Sequence, residues 1–569
     1  MNYHLVTHGK IYDEESKKKL LFIDKYLANK YEKKINFSVN QQEILDFKQR
    51  EILYRDVYNL SEKFIKKIGE NLNLIHNTNF DERSWKIIIG PWLTHFLRIC
   101  HNRYFKIYEA KKNYNITETC FFYSDNFSFI PNNTNDLITM CNDDDWNAIL
   151  YSQIINFLLP NIDFKKKILN VDIKIKKNNF NLNIRKVFSK IISLFIKRKD
   201  ALIMGSYLPF FENIKLNLYL KQFPQYWIYD DNIYANYNLK LRENFKLNFI
   251  SNDFEKFISK TIPMYLPICF MEGFKTLLKK VDEVNFPNKP KFIFTSNNYE
   301  YDEIFKLFTA SKVQNNSTYI IAQHGNISWI ENSFFKESYS ADYYLHWGKD
   351  GFGKNQDGFN LKIVNNSLQN KMDGGVLILD SSYGTNNKIY NRLDENLNKE
   401  EWLFDILKSL KPEIKEITVK LHSSFKQRDA DYIKRIQSIS SKINIEKNNS
   451  KLFELLKACR CVIHCYDSTG ILETMSLKIP TLCIWPNGLN HIQLKYHDLY
   501  RDLEKNSILF SEPYKLTETL NNNFEKINEW WLEPNRTKIR NKFLDSFSIP
   551  PKNNSTKVLS RKLLDYGQI

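Results

Sequence analysis

The second half of the sequence alternates short apolar runs with polar or helical stretches, and this alternation constrains the fold more than any other feature. From residue 290 onward the chain contains KFIFTSN, STYIIAQHG, ADYYLHWG, GGVLILDSS, EITVKLHSS, CRCVIHCYDS and PTLCIWP. Apolar, β-branched-rich runs that alternate with helices are typical of parallel sheets covered on both faces. The sequence therefore predicts an α/β fold.

Polar residues directly follow several of these runs, at the edge where open parallel sheets bind ligands. The run STYIIA leads into Gln323, His324 and Gly325. Glycine permits a tight turn and a close ligand approach, and imidazole suits base catalysis near neutral pH. His422 and Ser423 follow the run EITVKL in the same way, and a histidine there could bind or protonate a phosphate. The alternative for a lone histidine is a structural role.

A third polar group follows the strand CRCVIHCY and opens a helix. Ser468, Thr469 and Gly470 would offer backbone N–H groups, two hydroxyls and the positive end of the helix dipole to a phosphate. Glu473 stands one turn further along and could accept hydrogen bonds from ribose hydroxyls. The alternative is an ordinary helix N-cap, because Asp and Ser commonly precede helices.

Three consecutive carboxylates, Asp143, Asp144 and Asp145, could bind a divalent cation through oxygen ligands. They also precede the helical run WNAILYSQIINFLL, where acidic side chains cap a helix and favour its dipole. No strand comes before them, so we favour the capping interpretation. We expect no metal site and no cofactor.

The net charge is +17, from 82 Lys and Arg against 65 Asp and Glu. This charge suits a polyanionic partner such as nucleic acid, an anionic membrane or a phosphorylated substrate. The abundance of Lys, Asn, Ile, Phe and Tyr makes compositional drift an equally good explanation. We expect no nucleic-acid partner, since the sequence has no RNA-recognition motif or zinc knuckle.

The basic residues concentrate between residues 164 and 199. In the second half of this stretch, apolar residues from Ile184 to Phe195 recur at helical spacing and predict an amphipathic helix with a basic face. Such a helix could lie on an anionic inner-membrane surface. The alternative is a solvated helix whose apolar stripe belongs to the core.

The eight cysteines form no C-x-x-C pair, and the N-terminus lacks the pattern of a signal peptide. No stretch of the sequence approaches 18 uninterrupted apolar residues, the length that predicts a membrane span. We therefore expect a reduced, cytoplasmic protein that could bind peripherally to the inner face of the cytoplasmic membrane.

In the first half of the chain, Tyr3–Val6 predicts a short strand, and most of the following residues have helical patterns. Gly90 and Pro91 predict a break before a second apolar helix.

The polar stretch 355–371 predicts a linker between two domains. We expect an N-terminal acceptor-side domain over residues 1–360, enlarged by helical insertions over about 15–285. A donor domain over 361–535 and a helical tail over 536–569 would follow.

Several short motifs together resemble a family of transferases from bacterial surface-carbohydrate and O-antigen biosynthesis clusters. They are Arg83–Lys86, Ile89–Leu93, Asp302–Glu303, Gln323–Gly325, Ala341–Asp342, Trp347–Gly348, Ser468–Thr469, Leu472–Glu473 and Ile479–Thr481. The resemblance implies a GT-B-like architecture, in which two Rossmann-type parallel-sheet domains face each other across a cleft. It also implies a nucleotide-sugar donor in the C-terminal domain.

The strand-end residues are more distantly similar to sites in CMP-sugar-using sialyl and Kdo transferases and in CDP-glycerol glycerophosphotransferases. This similarity implies that His422 and Ser468–Thr469 hold the donor phosphate and that Glu473 binds the ribose. The chain departs from the sialyltransferase pattern in two ways. It has His422–Ser423 where sialyltransferases have a His-Pro pair, and it has no evident Asp/Glu-rich acceptor motif.

These observations predict a metal-independent glycosyltransferase that adds a sugar to a surface glycan or glycolipid. His324 is the expected base, Asp302 the second choice, and His422 a further catalytic residue. The predicted donor-binding residues are Gln323, Gly325, Ser423, Ser468, Thr469, Gly470 and Glu473. The alternatives are a CDP-polyol phosphotransferase, a non-enzymatic RNA-binding protein and an inactive sugar-binding homologue.

Overall fold

The computed structural model describes all residues except 9–17, 30–36, 42–44, 172–179, 248–250, 334–339, 350–354, 367, 381–392, 415, 422–429, 447–451, 486–487 and 568–569. By contact, the chain divides into two compact units. Met1–Met204 and Gln225–Tyr319 belong to the first unit, and Gly205–Pro224 and most residues from Ile320 onward belong to the second. The predicted domain boundary at residue 360 stays a prediction.

The first sheet lies in the N-terminal unit and is entirely parallel. Its strands are β1 (Asn2–Val6), β2 (Lys19–Phe22), β3 (Phe37–Val39), β4 (Asn115–Tyr123) and β5 (Asp163–Ile168). Their order is β3-β2-β1-β4-β5. The predicted strand at Tyr3–Val6 is confirmed. The other four strands fall in the region where the sequence predicts helical insertions. Of these, β2 and β3 have only four and three residues, so they show little periodicity in the sequence.

The second and third sheets contain the strands predicted from the apolar runs. The second comprises β6 (Leu202–Met204), β7 (Phe292–Thr295), β8 (Thr318–Ala322), β9 (Tyr343–His346) and β10 (Asn355–Asp357), in the order β10-β9-β8-β7-β6. The third comprises β11 (Gly375–Leu379), β12 (Ile417–Lys420), β13 (Ile443–Glu446), β14 (Cys459–His464), β15 (Thr481–Ile484) and β16 (Leu509–Phe510). Strand β10 lies within the stretch predicted as a linker, where its backbone pairs with β9.

The third sheet has the order β13-β12-β11-β14-β15-β16, and its strands pair in parallel. In chain order this is 3-2-1-4-5-6, the order of the Rossmann fold. The first sheet repeats the first five positions of that order. The predicted GT-B-like class, α/β with Rossmann-type parallel sheets, is therefore confirmed.

Helices cover the sheets throughout the chain. Up to residue 313 they are α1 (Lys25–Asn29), α2 (Phe47–His76), α3 (Glu82–Asn113), α4 (Thr134–Met140), α5 (Asp144–Leu158), α6 (Phe180–Ser193), α7 (Phe210–Tyr219), α8 (Leu239–Glu243), α9 (Asp253–Tyr265), α10 (Phe274–Glu283), α11 (Asn298–Tyr301) and α12 (Glu303–Val313). The remaining helices are α13 (Ile330–Ser333), α14 (Leu393–Ser409), α15 (Ala430–Ile439), α16 (Leu452–Ala458), α17 (Thr469–Ser476), α18 (His497–Lys505), α19 (Pro513–Asn523), α20 (Ile527–Leu532), α21 (Pro534–Phe547) and α22 (Ser555–Gly567). In the described part of the chain, every helix is too short or too polar to cross a lipid bilayer.

The predicted break at Gly90 and Pro91 is wrong, because α3 continues through both residues. A proline inside a helix costs about 3 kcal/mol through its missing N–H and its ring. Here packing outweighs that cost: Trp85 and Trp92, on either side of the proline, are among the largest fully buried side chains of the chain. Helix α3 packs against α2 and α12 over much of its length.

Candidate functional site

The candidate site lies at the switch point of the third sheet, the place where the strand order changes direction. In the order 3-2-1-4-5-6 this place lies between β11 and β14, which pair up to Leu379 and His464 at their carboxyl ends. Asp380 follows β11, and the residues from Cys465 to Ser468 follow β14 and lead into α17. The predicted phosphate turn thus lies at the edge of the sheet where such folds bind ligands.

A buried carboxylate, Asp467, holds the turn before α17 in place. Its Oδ1 accepts a hydrogen bond from the Asn326 side-chain amide at 2.7 Å, and its Oδ2 accepts one from the Trp329 indole N–H at 2.9 Å. The Nε2 atom of His491 lies 3.2 Å from the same Oδ2. Because a buried charge is costly unless it is hydrogen-bonded, these contacts fix Asp467 and the turn beside it.

The start of α17 rests on a buried histidine, His464. Its Nδ1 lies 3.2 Å from the Ser468 hydroxyl and its Nε2 lies 3.2 Å from the Thr474 hydroxyl. Burial lowers the pKa of His464 to about 3, so the ring is neutral at physiological pH. A Cβ added at Gly470 would stand 3.0 Å from the His464 ring, which explains the small residue there.

The turn after β8 lies against the start of α17, in the same unit. The Gln323 side-chain amide donates to the Gly325 carbonyl at 2.7 Å, and its oxygen accepts from the Trp347 backbone N–H at 2.7 Å. A Cβ at Gly325 would stand 2.8 Å from the Thr469 hydroxyl. That hydroxyl accepts a hydrogen bond from the Asn326 backbone N–H at 3.2 Å. The structure thus brings the two predicted motifs together.

Four side chains of the second unit form what we call the Lys362 cluster: Lys362, Glu473, Tyr207 and His324. The Lys362 Nζ lies 3.3 Å from Glu473 Oε1 and 4.9 Å from the centre of the Tyr207 ring. The Tyr207 ring stacks over that of His324, with 6.3 Å between their centres. His324 is half-buried, so its ring can reach a ligand.

Sequence reasoning missed Lys362 and Tyr207, because neither belongs to a recognisable motif. Tyr207 adopts a φ of 61°, a left-handed conformation that costs a non-glycine residue of order 1–3 kcal/mol. Residues with strained backbone conformations are frequent at ligand sites, but the strain can be recognised only in the folded structure and not in the sequence.

Asp302 lies in the N-terminal unit and caps helix α12. Its carboxylate accepts hydrogen bonds from the Phe305 backbone N–H at 3.0 Å, the Asn298 amide at 2.9 Å and the Tyr229 hydroxyl. Burial raises the pKa of Asp302, and these hydrogen bonds oppose the rise. Asp302 therefore caps α12, and its predicted role as the second-choice base stays a prediction.

Two of the predicted site residues, His422 and Ser423, lie outside the described residues. The strand before them, β12, is present as predicted and ends at Lys420. Their predicted contact with a donor phosphate stays a prediction.

The predicted capping role of the Asp143–Asp145 run is confirmed. Asp143 is the N-cap of α5 and accepts a hydrogen bond from the Trp146 backbone N–H at 3.0 Å, while Asp145 pairs with His8 at 2.9 Å. Within the described ranges, no three His, Cys, Asp or Glu side chains gather closely enough to hold a metal ion. The expected metal independence stays a prediction.

The fold defines an α/β protein with a candidate ligand site at the carboxyl edge of a Rossmann-order sheet. The model of the LIC12162 family transferase matches residues 3–563 of the sequence. The chain belongs to this family and is a transferase. A search of the curated proteins found no significant relative.

Several solved structures are similar to parts of the chain. A variant of the wall teichoic acid polymerase TagF is 14% identical over 50% of this chain and 75% of its own, with a TM-score of 0.32. UDP-GlcNAc 2-epimerase from Neisseria meningitidis, bound to UDP-GlcNAc, is 14% identical over 52% and 81%, with a TM-score of 0.31. S. aureus MnaA with UDP is 11% identical over 65% and 96%, with a TM-score of 0.33. Likeness of this extent gives no information on substrate.

Proposed function

We propose that this transferase moves a sugar from a nucleotide-activated donor to a growing bacterial surface polysaccharide. Nonulosonate or Kdo-type sugars are one class of donor in this proposal. The observation that carries it is the position of the Ser468–Gly470 turn at the switch point of a Rossmann-order sheet, with Lys362 in contact with the same helix. Nucleotide phosphates are the ligands that such an edge and such a helix start favour.

The donor phosphate would bind at the start of α17. The first N–H groups of a helix have no partners within the helix, and the positive end of its dipole favours an anion. Lys362 adds a full positive charge, and Glu473 positions it through the contact at 3.3 Å. The helix start and Lys362 would stabilise the negative charge that develops on the departing phosphate, so the proposal includes no metal and no cofactor.

The acceptor hydroxyl would lose its proton to His324. The imidazole of a histidine titrates near neutral pH, as a general base requires. His324 is half-buried, and its ring stacks on that of Tyr207. The preceding residue, Gln323, holds the turn through its side-chain amide. Asp302 is less suited to this role, because hydrogen bonds from three donors already engage its carboxylate.

The acceptor in this proposal is a glycan or a glycolipid. A lipid-linked acceptor would bring the protein to the inner face of the cytoplasmic membrane as a peripheral protein. His422 and Ser423 would complete the phosphate site from the end of β12, and Glu473 retains a predicted contact with the ribose.

The experiment separates binding from turnover with two variants of the Lys362 cluster. Nucleotide affinity is measured by titration calorimetry, and turnover by nucleotide release from CMP-, UDP- and GDP-activated sugars mixed with a bacterial glycolipid extract. We expect His324→Ala to abolish release while leaving affinity within about twofold, since a base acts in the transition state rather than in donor binding. We expect Lys362→Met to weaken nucleotide binding by about tenfold or more.

Lys349→Met is the matched control, because this lysine is exposed and pairs with Asp545 rather than with a member of the Lys362 cluster. It should leave affinity and release unchanged. Equal loss of binding and release in His324→Ala would exclude its role as base. Unchanged nucleotide affinity in Lys362→Met would exclude the proposed phosphate site.

A further inference from the structure

Helix α6 has the reverse of the usual amphipathic arrangement. Six apolar side chains, four in the helix and two just beyond it, are between 51% and 74% exposed: Ile184, Val187, Phe188, Ile191, Leu194 and Phe195. The buried residues of the segment are small and polar, Ser189 and Ser193. A surface helix normally turns its apolar stripe toward the core. The core-stripe alternative considered for this sequence is therefore wrong.

Hydrogen bonds hold the polar face of α6 to the N-terminal unit. The Ser189 hydroxyl donates to the Tyr226 carbonyl at 2.7 Å and accepts from the Ile228 backbone N–H at 2.9 Å. Arg185 Nε donates to the Tyr226 hydroxyl at 2.8 Å. The orientation of the helix is thus fixed by specific contacts, and its apolar side chains project outward as a consequence.

Basic residues flank the outward apolar stripe. At about 100° per residue, the apolar side chains fall within an arc of roughly 120° centred opposite Ser189 and Ser193. Arg185 and Lys190 lie on either side of that arc, Lys186 lies on the opposite face beside Ser193, and Lys197, Arg198 and Lys199 follow the helix. The sequence has no Asp or Glu from residue 173 to residue 199. We call this combined surface, residues 184–199, the α6 surface.

We propose that the α6 surface binds the anionic face of a lipid bilayer. An exposed apolar stripe between cationic side chains is the arrangement of helices that lie in the membrane interface. The apolar side chains would enter the acyl boundary while the lysines and arginines contact anionic headgroups. A second copy would bring two positively charged surfaces together, which opposes binding. The bilayer accounts for both the charge and the exposed apolar side chains.

The exposed edge strand β5 carries a second basic and apolar group. Lys165 and Lys166 are exposed and Lys167 is half-buried, while Phe164 and Ile168, near its two ends, are exposed. This strand belongs to the basic stretch 164–199, whose second half forms the α6 surface. The proposal rests on the α6 surface alone, and β5 is not required for it.

The test is co-sedimentation of the full chain with vesicles of phosphatidylcholine, with or without about 30% phosphatidylglycerol, at low and high salt. We expect binding only to the anionic vesicles, and weaker binding at high salt. The double variant Val187→Asn with Ile191→Asn should bind at least about tenfold more weakly. Leu74→Asn with Leu532→Asn is the matched control, since both leucines are exposed on other helices.

Charge reversal gives an independent variant. Lys197→Glu, Arg198→Glu and Lys199→Glu together should reduce binding to the anionic vesicles at least about tenfold. The same reversal at three exposed lysines of the second unit, Lys526, Lys538 and Lys557, should change it far less. Equal loss in both triple variants would indicate a response to net charge alone and would overturn the proposal.

Site-specific labelling reports where the membrane touches the chain. All eight native cysteines are buried, so Phe188→Cys can carry an environment-sensitive dye under native conditions. We expect its emission to shift to the blue with anionic vesicles, and no shift for the same dye at Leu74→Cys. Unchanged vesicle binding in the Val187/Ile191 variant would overturn the proposal. So would self-association of the parent chain that the same variant abolishes, because a second copy would then cover the surface.

Discussion

Asp467→Asn tests the arrangement that holds the candidate site. The substitution keeps an oxygen for the Asn326 amide but places an NH₂ group where Oδ2 accepts from the Trp329 indole N–H at 2.9 Å. An indole nitrogen can only donate, so this hydrogen bond is lost and two donors face each other. A hydrogen bond to a charged acceptor contributes about 1.5–3 kcal/mol, and leaving the buried donor unsatisfied adds to that. We expect a loss of about 3 kcal/mol.

The assay is thermal unfolding of the full chain, monitored by the fluorescence of a probe in the second unit. At roughly 2–4 °C per kcal/mol for 150–250 residues, the expected fall in Tm is about 6–12 °C. Asp373→Asn is the matched control, because this carboxylate is 79% exposed. A fall of less than about 2 °C in Asp467→Asn would refute the reasoning that Asp467 organises the turn.

Three further predictions concern other residues, two of them in the same candidate site. Burial holds the pKa of His464 at about 3 in the folded chain. In the unfolded chain the same histidine binds a proton below about pH 6.5, so the free energy of unfolding decreases as the pH falls. Between pH 7 and pH 5, the free energy of unfolding measured in urea should fall by about 2 kcal/mol less in His464→Asn than in the parent chain. The same pH dependence in both proteins would contradict the burial of His464. Gly325→Ala should destabilise the chain by about 1–3 kcal/mol through its clash with the Thr469 hydroxyl, and much less in a Thr469→Ala background; additive effects in this double-mutant cycle would exclude the contact. Arg242 donates to both Glu272 oxygens at 2.7 Å, so Arg242→Lys should cost about 3 kcal/mol by chemical denaturation, and a loss under about 1 kcal/mol would show that a point charge suffices there.

The strands of the second half could be predicted from sequence because each is a compact apolar run. Parallel strands buried on both faces carry no polar residues in their centre, so β11 and β14 are visible as GVLIL and CRCVIH. The residues after such strands could be predicted as site candidates for the same reason. The short strands β2 and β3 gave no such signal.

Tertiary contacts decided the features that the sequence could not predict. Helix α3 continues through Pro91 because buried packing outweighs a local preference. The stripe of α6 has core periodicity, but the hydrogen bonds of Ser189 turn it outward. Lys362 joins the site through Glu473 and Tyr207, which are distant from it in sequence, and no local pattern marks such a contact.

The most direct test of the central claim is a thermal-shift panel with CMP, CDP, UDP, GDP and ADP on the full chain, with mixed RNA as a further ligand. A ligand at about 100 times its Kd adds about 2.7 kcal/mol, which raises Tm measurably. We expect stabilisation by one nucleotide, and loss of that stabilisation in Lys362→Met. CMP would indicate a nonulosonate or Kdo donor, UDP or GDP a hexose donor, and CDP the polyol phosphotransferase. Stabilisation by RNA without a response to any nucleotide would contradict the account.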